Sequence, residues 1–172
     1  MTDSLKILVV DDETDLEILI KLKVRKEISN KEYEFFFAIN GKDALEKLLE
    51  EPDVDIVLSD INMPEMDGLT LLSRLNELSP LIQSVIVSAY GDMENIRTAM
   101  NRGAFDFITK PINFKDLTLT MEKTLKHARQ LKETLKAVKE NNILKMYVDQ
   151  NVLSFMGSRE YESTIMDNET IE

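Results

Sequence analysis

The chain has 172 residues, a formal net charge of -11, 43% apolar residues and a mean hydropathy of -0.21. This length gives room for one domain of ordinary size and an appendage. The negative charge argues against a general nucleic-acid binder, because the phosphate backbone rewards Lys and Arg. Cysteine is absent and His127 is the single histidine, which excludes disulfides, thiol catalysis and any metal site that needs two histidines.

The sequence predicts neither a membrane anchor nor an export signal. No stretch approaches the roughly 20 apolar residues of a membrane span. The N-terminus carries Asp3 before a short apolar run at Ile7–Val10, which is unlike a signal peptide. We therefore expect a cytoplasmic protein that does not enter the membrane.

Five short, β-rich apolar runs alternate with stretches whose apolar residues recur at helical spacing. The runs predict strands at Leu5–Val10, Glu34–Ile39, Asp55–Ser59, Ser84–Ser88 and Phe105–Thr109. The helical stretches are Leu16–Ile28 (with Thr14 or Asp15 as N-cap), Ala44–Leu49, Leu69–Leu75, Met93–Met100 and a long one from Phe114. This alternation predicts an α/β fold, in which a doubly wound, five-stranded parallel sheet is covered by helices on both faces and followed by an extended C-terminal helix.

Polar side chains stand at the ends of four of the predicted strands. In chain order they are Asp11, Asp12, Asp60, Ser88 and Lys110. Right-handed crossovers bring the C-terminal ends of parallel strands to one edge of a sheet, and open α/β sheets bind their ligands at that edge. We therefore expect these residues to form a single site.

Three carboxylates at one site repel each other, so they either raise their pKa values or recruit a cation. Ligands that are all oxygen suit Mg²⁺, which takes one or two carboxylates together with waters and phosphate oxygens. One of the acids is then available as a nucleophile that forms an aspartyl phosphate. Lys110 supplies a cation and Ser88 a hydrogen-bond donor for the developing phosphoryl charge.

Residues 1–126 resemble the receiver domain of the response regulators of bacterial two-component systems. The motifs that carry the resemblance are Asp11-Asp12, Asp60…Met63-Pro64…Asp67-Gly68, Ser88-Ala89 and Gly103-Ala104…Phe107…Lys110-Pro111. These four motifs in this order, each containing residues at a strand end, are highly specific. The resemblance implies a flavodoxin-like (βα)5 fold and a cis peptide bond between Lys110 and Pro111.

The resemblance also implies a role for each matched residue. Asp60 is the implied phosphoacceptor. The implied Mg²⁺ ligands are Asp12 directly, Asp11 mainly through water, Asp60, and the backbone carbonyl of Asn62. Lys110 pairs with the phosphoryl group. Ser88 and Phe107 are the implied switch residues, at positions where the family more often has Thr, and Tyr or Phe, respectively.

The implied mechanism is the transfer of a phosphoryl group from a sensor histidine kinase to Asp60, around Mg²⁺. Ser88 then moves toward the phosphoryl group and Phe107 turns inward, so the fourth helix, fifth strand and fifth helix repack. The implied protein is a signalling module, not an enzyme, because its own chemistry stops at self-phosphorylation and self-dephosphorylation. We further hypothesise that the bulk of Tyr90 slows the approach of water to the acyl phosphate.

The helix that starts near Phe114 overruns the length of a receiver's last helix. Residues 127–152 are predicted to form an extended helix and a coiled-coil linker, and 153–172 a disordered tail. Apolar residues and one asparagine follow a 3-4-3-4 spacing at Ala128, Leu131, Leu135, Val138 and Asn142. This seam predicts a homodimer through the helix, and packing of the helix on its own domain is the alternative.

The segment after the seam bears on the output of the chain. Leu144–Val148 and Asn151–Leu153 resemble the lead-in to class III nucleotide cyclase domains, although no cyclase catalytic segment follows. The expected output is therefore a dimer or an output domain such as a nucleotide cyclase. No helix-turn-helix pattern is present, so direct contact with nucleic acid is not expected.

Two other functions stay open at this point. A phosphatase of the haloacid-dehalogenase type also uses a nucleophilic Asp and Mg²⁺, but its Asp-x-Asp signature follows the first strand, where this chain has adjacent Asp11 and Asp12. A phosphorylation-independent interaction module on the same scaffold would not need the full acid, Ser and Lys set. His127 lacks the acid-and-proline surroundings of a phosphotransfer histidine and is interpreted as a solvated helix residue.

Overall fold

A computed structural model describes residues 4–25 and 32–157. The five strands are β1 (Leu5–Val10), β2 (Tyr33–Ala38), β3 (Ile56–Asp60), β4 (Gln83–Ala89) and β5 (Asp106–Lys110). The helices in the described residues are α1 (Asp15–Lys23), α2 (Gly41–Glu50), α3 (Gly68–Leu78), α4 (Met93–Asn101) and α5 (Phe114–Gly157). The predicted Ile28 at the end of the first helical stretch lies outside the described residues.

The sheet has the strand order β2-β1-β3-β4-β5, and all four neighbouring pairs are parallel. β1 and β3 lie inside the sheet, and every residue of β3 is buried, which is why both read as near-continuous apolar runs. The predicted five-stranded parallel α/β fold with a long C-terminal helix is confirmed. The observed strands differ from the predicted ones by about one residue at their ends, as expected for boundaries.

The two faces of the sheet bury separate apolar layers. One layer joins β1, β3, β4 and β5 to α1 and to the first part of α5, through residues such as Leu16, Ile20 and Leu125. On the other face, α2 and α3 pack on the sheet through Ala44 and Leu71. Burial of this apolar surface holds the helices against the sheet, and the parallel pairing of all the strands brings their C-terminal ends to one edge.

Two of the helices that start near that edge, α2 and α3, are capped by the side chain of the residue before them. The side chain of Asn40 accepts a hydrogen bond from the Asp43 N–H, and that of Asp67 accepts one from the Thr70 N–H, both at 2.8 Å. Each bond satisfies a backbone donor that the helix itself leaves unpaired. Thr14 occupies the N-cap position of α1 but makes no side-chain cap bond.

By its internal contacts the chain divides into two units, residues 1–130 and 131–172. In the first unit, α5 is buried at Leu117, Met121, Leu125 and Ala128. His127 differs from the solvated residue that we expected, because it is half-buried and its ring stacks on Phe105 with centroids 4.7 Å apart.

In the second unit, α5 continues to Gly157 and therefore includes the first five residues of the predicted disordered tail. The rest of that tail, residues 158–172, lies outside the described residues. Within the described ranges, no helix combines the length and the apolar character needed to cross a membrane.

Candidate functional site

The structure brings Asp11, Asp12 and Asp60 together at the C-terminal edge of the sheet. Asp11 and Asp12 follow β1, Asp60 ends the neighbouring β3, and one carboxylate oxygen from each lies within 4.8 Å of the others. Oxygens on opposite sides of a Mg²⁺ ion are roughly 4 Å apart, because each ligand is about 2.0–2.1 Å from the ion. The three acids therefore fit a small divalent cation held by oxygen ligands.

The carboxyl group of Asp11 is buried at this edge of the sheet. The pKa of this group is raised to about 6, mainly by burial. The backbone hydrogen bond from Glu13 and the charge of Lys110 lower the pKa, and the charges of Asp60 and Asp12 raise it. The backbone bond comes from the Glu13 N–H, at 3.0 Å from Oδ1 of Asp11. An ionised Asp11 is thus costly in the metal-free site, and a cation would remove that cost.

Lys110 reaches the cluster from the end of β5. Its Nζ donates a hydrogen bond of 2.6 Å to Oδ2 of Asp60. Burial lowers the pKa of Lys110, but the hydrogen bond and charge of Asp60 outweigh it, and the net shift is upward. The ammonium group therefore stays charged beside the carboxylate. The Lys110–Pro111 peptide bond is cis, as predicted.

The backbone loop after β3 holds the other oxygen of Asp60. Oδ1 accepts a hydrogen bond of 3.3 Å from the N–H of Asn62, whose side chain is exposed. The loop is closed where the Gly68 N–H donates to the Ile61 carbonyl at 2.8 Å. A Cβ atom on Gly68 would lie 2.8 Å from the Ile61 Cα, so this close approach requires glycine.

Glu65, at the tip of the same loop, has φ = 66°, which is uncommon for a residue with a side chain. The loop therefore combines a close glycine contact with a left-handed residue beside the acidic cluster. Strained backbone of this kind persists only where the surrounding structure holds it, and it concentrates at functional sites.

Ser88 lies near the end of β4 and is 1% exposed. Among the residues that the structure describes, its Oγ is the buried side-chain oxygen or nitrogen that has no hydrogen-bond partner. Buried polar groups are nearly always paired, and an exception calls for an explanation. An unpaired hydroxyl at this edge is available to an oxygen that arrives at the acidic cluster.

Phe107 lies on β5 and is 36% exposed. In the register of β4 with β5, Ile86 is opposite Phe107 and Ser88 is opposite Thr109. Since side chains alternate between the faces of a sheet, Phe107 shares a face with Ser88, one pleat away. Tyr90, in the turn after β4, is 85% exposed.

Two features of the site were not singled out from the sequence. The Glu13 N–H holds Asp11, and the Gly41 N–H donates to the Met66 carbonyl in the loop after β3, at 3.2 Å. The dipeptide Asn40-Gly41 signals a turn, but no sequence signal connects it to a loop 25 residues away.

Residues 7–122 match the family described as "Response regulator receiver domain". The chain is 35% identical over 136 residues to "Transcriptional regulatory protein ZraR" of Escherichia coli (strain K12), a match that covers 79% of this chain and 30% of that protein. It is also 35% identical over 121 residues to "Sporulation initiation phosphotransferase F" of Bacillus subtilis (strain 168), covering 70% of this chain and 93% of that protein. Among solved structures, a response regulator receiver domain protein from Clostridium thermocellum superposes with a TM-score of 0.63 at 30% identity, covering 74% of this chain and 98% of the other.

Proposed function

The chain belongs to the response regulator receiver domain family, and on that basis we propose that it accepts a phosphoryl group on Asp60 from a sensor histidine kinase, in a reaction that requires Mg²⁺. One observation carries the proposal. Asp60 lies within 4.8 Å of Asp11 and Asp12 by its carboxylate oxygens, and it accepts a hydrogen bond from Lys110 Nζ at 2.6 Å. The match to ZraR spans only 30% of that protein, so the proposed function concerns the receiver domain alone.

In the proposed reaction, a carboxylate oxygen of Asp60 attacks the phosphorus atom of a kinase phosphohistidine. A P–O bond forms, the P–N bond breaks, and its electron pair leaves with the imidazole nitrogen. Asp11, Asp12, Asp60 and the Asn62 carbonyl would hold Mg²⁺, which supplies positive charge for the transferred group. Lys110 gives a second positive charge, and together they stabilise a transition state whose charge spreads over the phosphoryl oxygens.

The acyl phosphate adds about -1.5 to -2 charge to the site. Ser88 then donates its Oγ–H, which is otherwise unpaired among the described residues, to a phosphoryl oxygen. The movement of Ser88 leaves space on the face that it shares with Phe107, and the half-exposed Phe107 turns into that space. The change passes to the surface formed by α4, β5 and α5. This surface has two conformations, and the charge added at Asp60 shifts the equilibrium between them.

The proposed partners follow from this chemistry. The kinase presents its phosphohistidine in the cytoplasm, so we place the receiver there. Direct contact with nucleic acid is not part of the proposal, since the net charge is -11. A receiver domain is a signalling module rather than a phosphatase, and membership in that family argues against the haloacid-dehalogenase alternative.

The part of α5 beyond the first unit is proposed to join two copies of the chain. Val138, Ile143 and Leu144 are at least half-exposed, and Val148 and Val152 continue this apolar surface. An isolated helix needs a partner for such a surface. Ala128 is buried in the first unit, but the remaining seam residues Leu131, Leu135, Val138 and Asn142 keep the spacing of a parallel two-stranded coil. The output is the dimer itself or a domain such as a nucleotide cyclase.

Phosphorylation with acetyl phosphate separates the proposed function from its rivals. The wild type with Mg²⁺ is expected to gain one stable acyl phosphate without turning over phosphoesters, and Asp60→Asn should gain none. Steady hydrolysis of a phosphoester would instead support a phosphatase. A wild type that is never labelled would support a phosphorylation-independent module.

Sedimentation velocity tests the dimer separately. The wild type is compared with and without Mg²⁺ and beryllofluoride, beside Leu135→Glu and the control Lys136→Glu, which is off the seam. We expect a dimer mass in at least one state of the wild type and of Lys136→Glu, and a monomer throughout for Leu135→Glu. A wild-type monomer in every state would contradict the dimer but not the receiver function.

A further inference from the structure

We propose that Gly41 is a positioning residue for the metal site, because it fixes the far side of the loop that joins Asp60 to α3. This role rests on the proposed function and adds a residue to it. Gly41 is buried, although it begins a helix. Its N–H is one of those that a helix leaves unpaired at its start, and it donates to the Met66 carbonyl at 3.2 Å.

The contact leaves no room for a side chain on Gly41. A Cβ atom there would lie 2.7 Å from Cγ of Met66, and 2.9 Å from both its Cβ and its carbonyl oxygen. These distances are shorter than carbon atoms tolerate, and one of the three atoms is backbone. Any larger residue at position 41 must therefore push the loop or shift the start of α2.

The start of α2 is held in place. The side chain of Asn40 accepts a hydrogen bond from the Asp43 N–H at 2.8 Å, and the side chain of Asp43 accepts one from the Ile39 N–H at 3.0 Å. Two reciprocal bonds make this turn a firm support. The loop is the softer partner, because Glu65 beside Met66 already has φ = 66°.

A movement of Met66 would be transmitted along the loop to the residues that are proposed to hold Mg²⁺. Met66 and Met63 pack against the apolar layer under α2 and α3, and Asn62 precedes Met63 in the chain. The Asn62 N–H also holds Oδ1 of Asp60 at 3.3 Å. A push at Met66 therefore changes both the Asn62 carbonyl and the orientation of the Asp60 carboxylate.

Isothermal titration calorimetry with Mg²⁺ measures the affinity of the metal site directly, so it tests this role without any catalytic step. Gly41→Ala should weaken Mg²⁺ binding about tenfold, as substitutions behind metal ligands typically do. The double variant Gly41→Ala/Met66→Ala, which removes the nearest clashing atom, should recover part of that loss. Met66→Ala alone, which keeps the Gly41 hydrogen bond, should bind Mg²⁺ as the wild type does.

Leu125→Ala is the control for a general loss of stability. Leu125 is 3% exposed and belongs to the apolar layer on the other face of the sheet. This variant should unfold at a lower temperature in EDTA, yet bind Mg²⁺ with wild-type affinity. The amide resonances of Asn62 and Met66 should shift in metal-free Gly41→Ala and stay unchanged in Leu125→Ala.

Gly41→Ala that binds Mg²⁺ within twofold of the wild type would overturn the positioning role. If Gly41→Ala does not fold, the double variant decides: its remaining contact with the Met66 carbonyl predicts weaker binding than the wild type, and equal binding overturns the role. A wild type that binds Mg²⁺ but takes no phosphoryl group from acetyl phosphate would contradict the proposed function and leave the role of Gly41 in metal binding intact.

Discussion

Lys110 Nζ donates a hydrogen bond of 2.6 Å to Oδ2 of Asp60, so the end of β5 is tied to the end of β3 across the intervening β4. The Asp60 side chain is 6% exposed and that of Lys110 is 35% exposed. One oxygen of this buried carboxylate is therefore held by a cation that remains accessible from solvent.

Replacement of Lys110 by Ala should slow phosphorylation by acetyl phosphate roughly 100-fold, the loss typical of removing one donor from a developing anion. Lys110→Arg keeps the charge but changes its position and should lie between Ala and the wild type. Rates are measured by intact mass at saturating Mg²⁺. Equal rates for Lys110→Ala and the wild type would show that the ion pair is only structural.

Ser88→Ala should stabilise the unphosphorylated protein by about 1 kcal/mol, because it removes a buried hydroxyl that lacks a partner among the described residues. Ser59→Ala is the matched control. It should destabilise the protein, because Ser59 Oγ donates a hydrogen bond to the Asp60 carbonyl at 2.8 Å and the substitution removes that bond. Urea unfolding measures both. A destabilised Ser88→Ala would mean that its hydroxyl is paired in solution.

The same Ser88→Ala variant should separate phosphorylation from the conformational change. It retains Asp60 and Lys110, so it should still be labelled by acetyl phosphate. The aromatic resonances of Phe107 should shift on phosphorylation of the wild type and stay in place in Ser88→Ala. A full shift without the hydroxyl would contradict the proposed link between Ser88 and Phe107.

Stability should fall with rising pH in the absence of metal, because of Asp11. Burial raises the pKa of Asp11 to about 6 in the folded chain, whereas its value in the unfolded chain is about 3.9. Between these values the folded state binds more protons than the unfolded state, so stability decreases as the pH rises through this window.

Asp11→Asn removes that titration. In EDTA it should raise the unfolding temperature relative to the wild type at pH 7.5, with no advantage at pH 4. Glu46→Gln, which neutralises an exposed acid on α2, should follow the wild type at both pH values. A gain of equal size at pH 4 and pH 7.5 would rule out the titration of Asp11 as the cause.

Tyr90→Ala should shorten the lifetime of the acyl phosphate, since we propose that the bulk of Tyr90 hinders the approach of water. The ring is 85% exposed in the unphosphorylated chain, so it must move over the phosphoryl group to act. Met93→Ala, which truncates another exposed side chain nearby, is the control. An unchanged lifetime in Tyr90→Ala would show that the hypothesis is wrong.

The fold and the acidic cluster could be predicted from the sequence because each depends on local patterns. An apolar run that stops on a polar residue predicts a buried strand, and it also predicts which polar side chain lies at the end of that strand. Right-handed crossovers bring the ends of the parallel strands together. Asp11, Asp12 and Asp60 accordingly lie within 4.8 Å of each other by their oxygens. Strand direction and topology place these residues at the same edge of the sheet.

Features that depend on contacts between distant residues could not be predicted in this way. The contact of Gly41 with Met66 joins the start of α2 to the loop after β3, and their distance depends on how α2 and α3 pack on the sheet. The stacking of His127 on Phe105 likewise depends on how α5 lies on β5. The periodicity of apolar residues indicates which face of a helix is buried, but it does not identify the side chains of other elements that this face contacts.

We propose that Asp60 carries the phosphoryl group, and chemical trapping of the acyl phosphate is the most direct test of this role. The wild type is incubated with acetyl phosphate and Mg²⁺, reduced with borohydride, digested and analysed by mass spectrometry. We predict that the reduced residue is found at position 60, and that Asp60→Asn yields no reduced residue there or at Asp11 or Asp12. Trapping at Asp11 or Asp12 in the wild type, or no trapping at all, would contradict the phosphoacceptor role of Asp60.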